Sequence, residues 1–155
     1  MTQPAVERFL ASVEVLGLRP EVREFDESTH TAAEAAAAIG CDVAAIVKSL
    51  LFEADGEPLL VLASGPNRVD TAGLGARLGM AIGKADANAV KQATGYSIGA
   101  VPPLGHLTPL RTIFDETLLA LPVVWAAAGS ATAVFAIEPA ELARLTNAEI
   151  LPVVE

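Results

Sequence analysis

The sequence predicts a single α+β domain over residues 1–155 with a mixed, curved β-sheet, and three observations support this. The length of 155 residues is that of one ordinary domain. With 52% hydrophobic and 19% charged residues, the chain has enough apolar surface to form a core without disulfides. Strand-like segments occur both as hairpins and with helices between them, which favours a mixed sheet over a doubly wound parallel one.

Helices are predicted where a capping residue precedes an apolar stripe. Pro4 begins an amphipathic helix that closes near Gly17. Thr31 and Glu34 form a capping box for an alanine-rich helix that stops at Gly40. Three further helices are predicted from Asp70 to about Gly79, from Asp86 to about Gly95, and after Pro139.

The strongest local signal is a β-hairpin. Two β-type runs within residues 46–64 flank Asp55-Gly56, a dipeptide typical of two-residue hairpin turns. Further strands are predicted at 22–25 and 110–114, with Asp115 after the second strand acting as a helix cap rather than as an acid or base.

Residues 117–137 carry no charge and approach the length of a membrane-spanning helix. Pro122 and the pair Gly129-Ser130 interrupt the segment, and no basic residue anchors its ends. We therefore predict two buried strands joined by a turn, and no membrane partner.

Composition also limits the functional classes. The chain has 10 Lys and Arg against 19 Asp and Glu, a net charge of −9, which argues against a broad nucleic-acid interface because phosphate affinity comes from basic side chains. Its one cysteine, Cys41, excludes an internal disulfide and indicates a reducing, cytoplasmic location. The two histidines have no metal-ligand spacing, so no metal site is predicted.

Lys48 is the first candidate functional residue. Side chains alternate along a strand, so Lys48 shares one face with Ile46, Leu50 and Phe52. A two-residue hairpin turn would place it opposite the small side chain of Ala63. An ammonium group in this setting either extends past the sheet edge into water or faces a ligand, and the pattern leaves both interpretations open.

The second candidate is the loop from Gly95 to His106, which contains three glycines and two adjacent prolines. Such a loop can bring peptide N–H and C=O groups close to a small ligand, although it can equally be a structural crossover. A nucleophilic pair of Cys41 and His106 is disfavoured, because Cys41 directly follows the helix-stopping Gly40 and is typical of a small buried residue.

Read together, these segments resemble a known family. IVKSLLF (46–52), LVLASGPNRVD (60–70), KADANAVKQATGYSIGAVPPLGH (84–106) and AAGS (127–130) occur in the order found in the YbaK/EbsC family. These proteins are small aminoacyl-tRNA deacylases similar to the editing domain inserted in bacterial prolyl-tRNA synthetases. The resemblance runs from about Phe25 to Leu145 and implies a barrel-like sheet with surrounding helices.

The resemblance implies hydrolysis of the ester between a wrong amino acid and the terminal ribose of a tRNA, without metal, cofactor or protein nucleophile. The lysine matching Lys48 is essential in that family, and the glycine matching Gly99 places backbone groups beside the aminoacyl group. The remaining predicted substrate-binding residues are Phe25, Ser49, Tyr96, Pro103, His106, Gly129 and Ser130. The implied partner is the 3′ end of aminoacyl-tRNA, with a synthetase and a homodimer as further partners left open.

The late strand region departs from two branches of the family. Branches that remove alanine tend to carry a histidine there, and branches that remove cysteine tend toward S-G-G-x-R-G, whereas this chain has WAAAGSATAVF. The amino acid removed is therefore left open among Cys, Ala, Ser and Thr. A binding module without turnover and a structural protein whose apolar surface forms an oligomer are the alternatives to an enzyme.

Overall fold

A computed structural model describes residues 3–26 and 31–154, in which five α-helices accompany two β-sheets. The helices are α1 (Pro4–Glu14), α2 (Ala32–Ile39), α3 (Thr71–Leu78), α4 (Ala87–Thr94) and α5 (Pro139–Thr146). The strands are β1 (Val22–Glu24), β2 (Val47–Ala54), β3 (Glu57–Ser64), β4 (Ile82–Lys84), β5 (Arg111–Asp115), β6 (Val124–Ala127), β7 (Ala133–Ile137) and β8 (Glu149–Leu151).

The two sheets differ in strand direction. The larger has the order β4-β2-β3-β5-β8, with antiparallel pairs around β2 and parallel pairs on either side of β5. The smaller, β1-β7-β6, is antiparallel, and an isolated parallel bridge from Ile46 to Trp125 links it to the larger. The α+β class with mixed strand directions is confirmed, with the strands divided between two sheets that do not close into a barrel.

The hairpin forms as predicted. Asp55 and Gly56 both have positive φ, 51° and 84°, the conformation of a two-residue turn whose twist matches the flanking strands. The register places Lys48 opposite Ala63 and Ala54 opposite Glu57. The position of Lys48 is therefore determined by a local turn.

The predicted helix caps are also present. The side chain of Thr31 accepts a hydrogen bond from the Glu34 N–H at 3.1 Å, and Asp70 and Asp86 cap α3 and α4 in the same way. Gly40, Gly79 and Gly95 end α2, α3 and α4 in the left-handed conformation.

The main core lies between α1 and the facing sides of both sheets. Val6, Phe9 and Val13 of α1 are fully buried, and the rings of Phe9 and Phe135 lie 5.0 Å apart. Within the described part of the chain, no helix is long and apolar enough to cross a membrane. The uncharged stretch 117–137 forms a short 3₁₀ helix followed by β6 and β7, which confirms the two predicted strands.

Gly129 offers a direct test of the contact between α1 and the smaller sheet. Its φ is +103°, and an added Cβ would lie 2.7 Å from the Ala5 carbonyl oxygen and 3.1 Å from the Tyr96 ring. We expect Gly129→Ala to lower the free energy of unfolding by about 2–4 kcal/mol, measured in urea, because both the backbone conformation and the space exclude a methyl group.

Gly83→Ala is the matched control for this test. Gly83 lies in β4 with ordinary φ, and an added Cβ there meets nothing within 4 Å. An equal urea midpoint for the Gly83→Ala and Gly129→Ala variants would contradict the expected role of Gly129.

Candidate active site

A cavity of about 770 Å³ opens where the two sheets meet. Residues of β2, β4, β6, β7 and the start of α2 line it, together with the loops around Gly65 and Gly99. Its volume is within the range of about 300–1,000 Å³ that is usual for sites binding small molecules. The described residues thus form a cleft large enough for an amino acid joined to a nucleoside.

Both charged side chains in the described lining of this cavity are positive. Lys48 and Lys84 are the charged side chains in its described lining, and no Asp, Glu, His or Cys is among the described lining residues. The hydroxyl groups of Thr31, Ser49 and Ser130 add neutral polar groups. In a protein of net charge −9, this wall favours an anionic or electron-rich ligand.

Lys48 is half-buried in the cavity wall, so its predicted position facing a ligand is consistent with the structure. Its Nζ donates a hydrogen bond to the main-chain carbonyl oxygen of Asn67. An ammonium group has three N–H donors, so two remain for a ligand. Burial lowers the pKa of Lys48, an effect that the negative charge of Asp115 partly opposes.

A buried carboxylate, Asp115, holds the turn that supplies the partner of Lys48. Its Oδ2 accepts hydrogen bonds from the Ser64 N–H at 3.0 Å and from the Asn67 side-chain amide at 2.8 Å. Its Oδ1 accepts from the Thr117 N–H at 3.0 Å, so the prediction that Asp115 is a helix cap is confirmed. Its second role, which is to orient Asn67, depends on a contact that no local sequence pattern reveals.

The structure brings three further predicted residues to the cavity: Ser49, Gly99 and Ser130. The Ser49 hydroxyl oxygen is buried and has no hydrogen-bond partner among the described residues, an uncommon state for a buried polar atom. Gly99 has φ +86° in a tight turn, a conformation that favours glycine. Ser49 follows Lys48 in β2 and so lies on the opposite face of that strand, whereas Gly99 and Ser130 belong to the loop after α4 and to the turn between β6 and β7.

Phe25 lies just outside the lining. The Arg23 guanidinium is 5.5 Å from the centre of the Phe25 ring and 5.5 Å from that of Trp125, which does line the cavity. Phe25 is therefore separated from the cavity wall by one stacked arginine, and its predicted contact with substrate stays a prediction.

Tyr96 and Gly129 lie outside the cavity, in the core beside α1. Tyr96 is 3% exposed, and the Arg8 guanidinium lies 4.9 Å from its ring centre. Burial raises the pKa of the Tyr96 hydroxyl. Both residues pack the core and lie outside the cavity lining, so the geometry gives their predicted substrate contacts no support.

Pro103 and His106 line a second cavity, of about 360 Å³, beside α1 and α5. His106 Nε2 lies 2.6 Å from the Pro102 carbonyl oxygen, and burial lowers the pKa of this imidazole. Cys41 packs instead with Ile46 near α2, and burial raises the pKa of its thiol. The structure therefore does not bring Cys41 and His106 together. Pro103 and His106 line a different cavity from Lys48, and their predicted contact with substrate stays a prediction.

Comparison with known proteins points to one family. The model of the aminoacyl-tRNA editing domain matches residues 26–145. Among curated proteins, the chain is 29% identical over 131 residues to the uncharacterized protein YwhH of Bacillus subtilis (strain 168), covering 84% of this chain and 83% of YwhH.

Solved structures give the same result. A crystal structure described as that of a candidate trans-editing enzyme for prolyl-tRNA synthetase is 40% identical, with a TM-score of 0.95 over 100% of this chain and 99% of that one. The hypothetical protein APE2540 is 29% identical, with a TM-score of 0.87 over 96% of this chain and 99% of its own.

Proposed function

Because this chain belongs to the aminoacyl-tRNA editing domain family, we propose that it hydrolyses mischarged aminoacyl-tRNA carrying a small amino acid such as Cys, Ala, Ser or Thr. The observation that supports this most directly is Lys48, a half-buried ammonium group with two N–H donors still free, in a cavity whose described lining has no carboxylate. The candidate trans-editing enzyme has the same fold at 40% identity.

The proposed reaction uses water and the substrate's own groups. Water adds to the ester carbonyl carbon, the bond from that carbon to the ribose oxygen breaks, and the ribose oxygen takes a proton. Lys48 stabilises the negative charge that develops on the carbonyl oxygen, a contribution that is large inside a protected cavity. The buried Ser49 hydroxyl and the backbone at Gly99 orient the amino acid.

The pH dependence follows from the state of Lys48. Its pKa is lowered from 10.5, chiefly by burial, and only the ammonium form can stabilise an oxyanion. We expect the protein-dependent kcat/KM to fall as pH rises through this lowered pKa, when measured between about pH 6 and pH 10 after subtraction of spontaneous hydrolysis.

Lys91 provides the control for the pH profile, since this lysine is exposed on α4 and outside the cavity lining. The Lys91→Ala variant should show the wild-type profile. A protein-dependent rate that rises in parallel with the spontaneous rate over the whole range would contradict a role for the ammonium form.

The function itself is tested with a panel of tRNAs charged with Cys, Ala, Ser or Thr, alongside the correctly charged tRNA. We expect the protein to release one or more of the wrong amino acids at least tenfold faster than the correct one. Release of none of them above the spontaneous rate would reject the hydrolase.

A binding module without turnover is the second candidate, favoured by the lack of a side-chain general base in the described lining. Binding of a non-hydrolysable aminoacyl-adenosine analogue, with no ester cleavage on the panel, would support this candidate instead. Action in the cytoplasm on the 3′ end of tRNA, alone or beside a synthetase, is part of the hydrolase proposal.

A further inference from the structure

A second lysine, Lys84, shares the cavity with Lys48. Strand β4 pairs antiparallel with β2, and Lys84 lies directly opposite Phe52. Residues opposite each other in a sheet point to the same face, and Phe52 shares its face with Lys48. Four residues along β2 and one strand across give a Cα separation between the two lysines of about 14 Å.

The surroundings of Lys84 differ from those of Lys48. Lys84 is exposed, whereas Lys48 is half-buried and donates to Asn67. Among the described residues, Lys84 makes no ion pair and no side-chain hydrogen bond. It therefore lies at the solvent-facing rim of the cavity with its charge available to a ligand, while Lys48 lies deeper.

The ligand that fits both positions is an extended anion with its reacting end at Lys48. We propose that Lys84 binds a backbone phosphate of the single-stranded 3′ end of tRNA, upstream of the nucleotide whose ester lies at Lys48. This proposal rests on the proposed function of the cavity. A lysine acts on a phosphate as a point charge, so it sets the position of the strand without reading its sequence.

Binding of the ribotrinucleotide CCA tests the proposal without any chemistry. We would measure its affinity by fluorescence anisotropy over a series of salt concentrations for wild type, Lys84→Gln and Lys91→Gln. For Lys84→Gln we expect the slope of log affinity against log salt to fall in magnitude by about 0.7, the value for one phosphate contact on a single strand. For Lys91→Gln the slope should equal that of wild type.

A second binding measurement uses a ligand that has no phosphate. A non-hydrolysable aminoacyl-adenosine analogue should bind wild type and Lys84→Gln equally well, because it lacks the group that Lys84 contacts. The proposal is overturned by an unchanged salt slope in Lys84→Gln, by equal losses for CCA and the analogue, or by the absence of any CCA binding to wild type.

Hydrolysis of aminoacyl-tRNA separates this inference from the function on which it rests. In Lys84→Gln we expect KM to rise by up to about fivefold, the value of one exposed ion pair, with kcat little changed. A Lys84-dependent salt slope without ester cleavage by wild type would reject the hydrolase and keep the phosphate contact. Cleavage by wild type with no effect of Lys84→Gln on KM or slope would reject the contact alone.

Discussion

Replacing Lys48 by alanine is expected to slow the hydrolysis of the preferred mischarged tRNA by about 100- to 1,000-fold, the usual effect of removing one donor that stabilises an oxyanion. The described cavity lining contains no Asp, Glu, His or Cys that could take over this role. Lys84 is too distant to substitute for Lys48, because its Cα lies about 14 Å from that of Lys48, at the rim of the cavity. The measurement is the single-turnover rate of amino-acid release.

Two further variants keep this result interpretable. Lys91→Ala removes an exposed lysine outside the cavity and should leave the rate unchanged. Lys48→Met keeps most of the apolar stem, so it should lose activity like Lys48→Ala while preserving the packing of β2. Full activity in either Lys48 variant, with folding verified by circular dichroism, would refute the proposed role.

The second large effect is expected at Asp115. Asp115→Ala leaves the buried N–H group of Ser64 and the N–H of Thr117 without their acceptor. The Asn67 side-chain amide loses one of its two acceptors and keeps the Thr117 hydroxyl. The unpaired buried N–H of Ser64 costs about 1–3 kcal/mol, and each of the two more exposed hydrogen bonds contributes about 0.5–1.5 kcal/mol. We therefore expect a loss of at least about 2 kcal/mol in the free energy of unfolding, measured in urea. Activity should fall as well, because Asn67 supplies the carbonyl that holds Lys48.

Neighbouring substitutions define what Asp115 contributes. Glu116 is exposed, and Glu116→Ala should change stability by less than about 0.5 kcal/mol. Asn67→Ala keeps the carbonyl oxygen that accepts from Lys48 and removes the side-chain bonds to Asp115 and to the Thr117 hydroxyl, so it should cost about 1–2 kcal/mol. Equal urea midpoints for Asp115→Ala and Glu116→Ala would show that the buried carboxylate does not hold this turn.

Local chemistry made much of the fold predictable. The hairpin at Asp55-Gly56, the cap at Thr31 and the left-handed helix ends depend on residues within a few positions of one another. The register of Lys48 follows from the turn alone. Strands β4 and β8 are not predicted, because each is a three-residue segment that forms by pairing with a strand far away in the sequence, β2 and β5 respectively.

The site was predictable only in part, because some of its contacts join residues that are far apart in the sequence. Lys48, Ser49 and Gly99 belong to segments whose form is set locally, and all three line the cavity. The contact between Asn67 and Asp115 joins residues 48 positions apart, which no local pattern reveals. Tyr96 and Gly129 belong to the core because α1 covers them, and the path of that helix over the sheet is decided by tertiary packing.

The wide sequence span of the cavity has a consequence for synthesis of the protein. Its lining runs from Thr31 to Val134, and the turn that orients Asn67 depends on the parallel pairing of β3 with β5. Contacts between residues so far apart form late in folding, because a long loop must close first. A chain still emerging from the ribosome therefore has no assembled pocket until β7 is available. Ester cleavage would then require the folding of nearly the whole chain, and a fragment that ends before β7 would have no complete pocket and no activity.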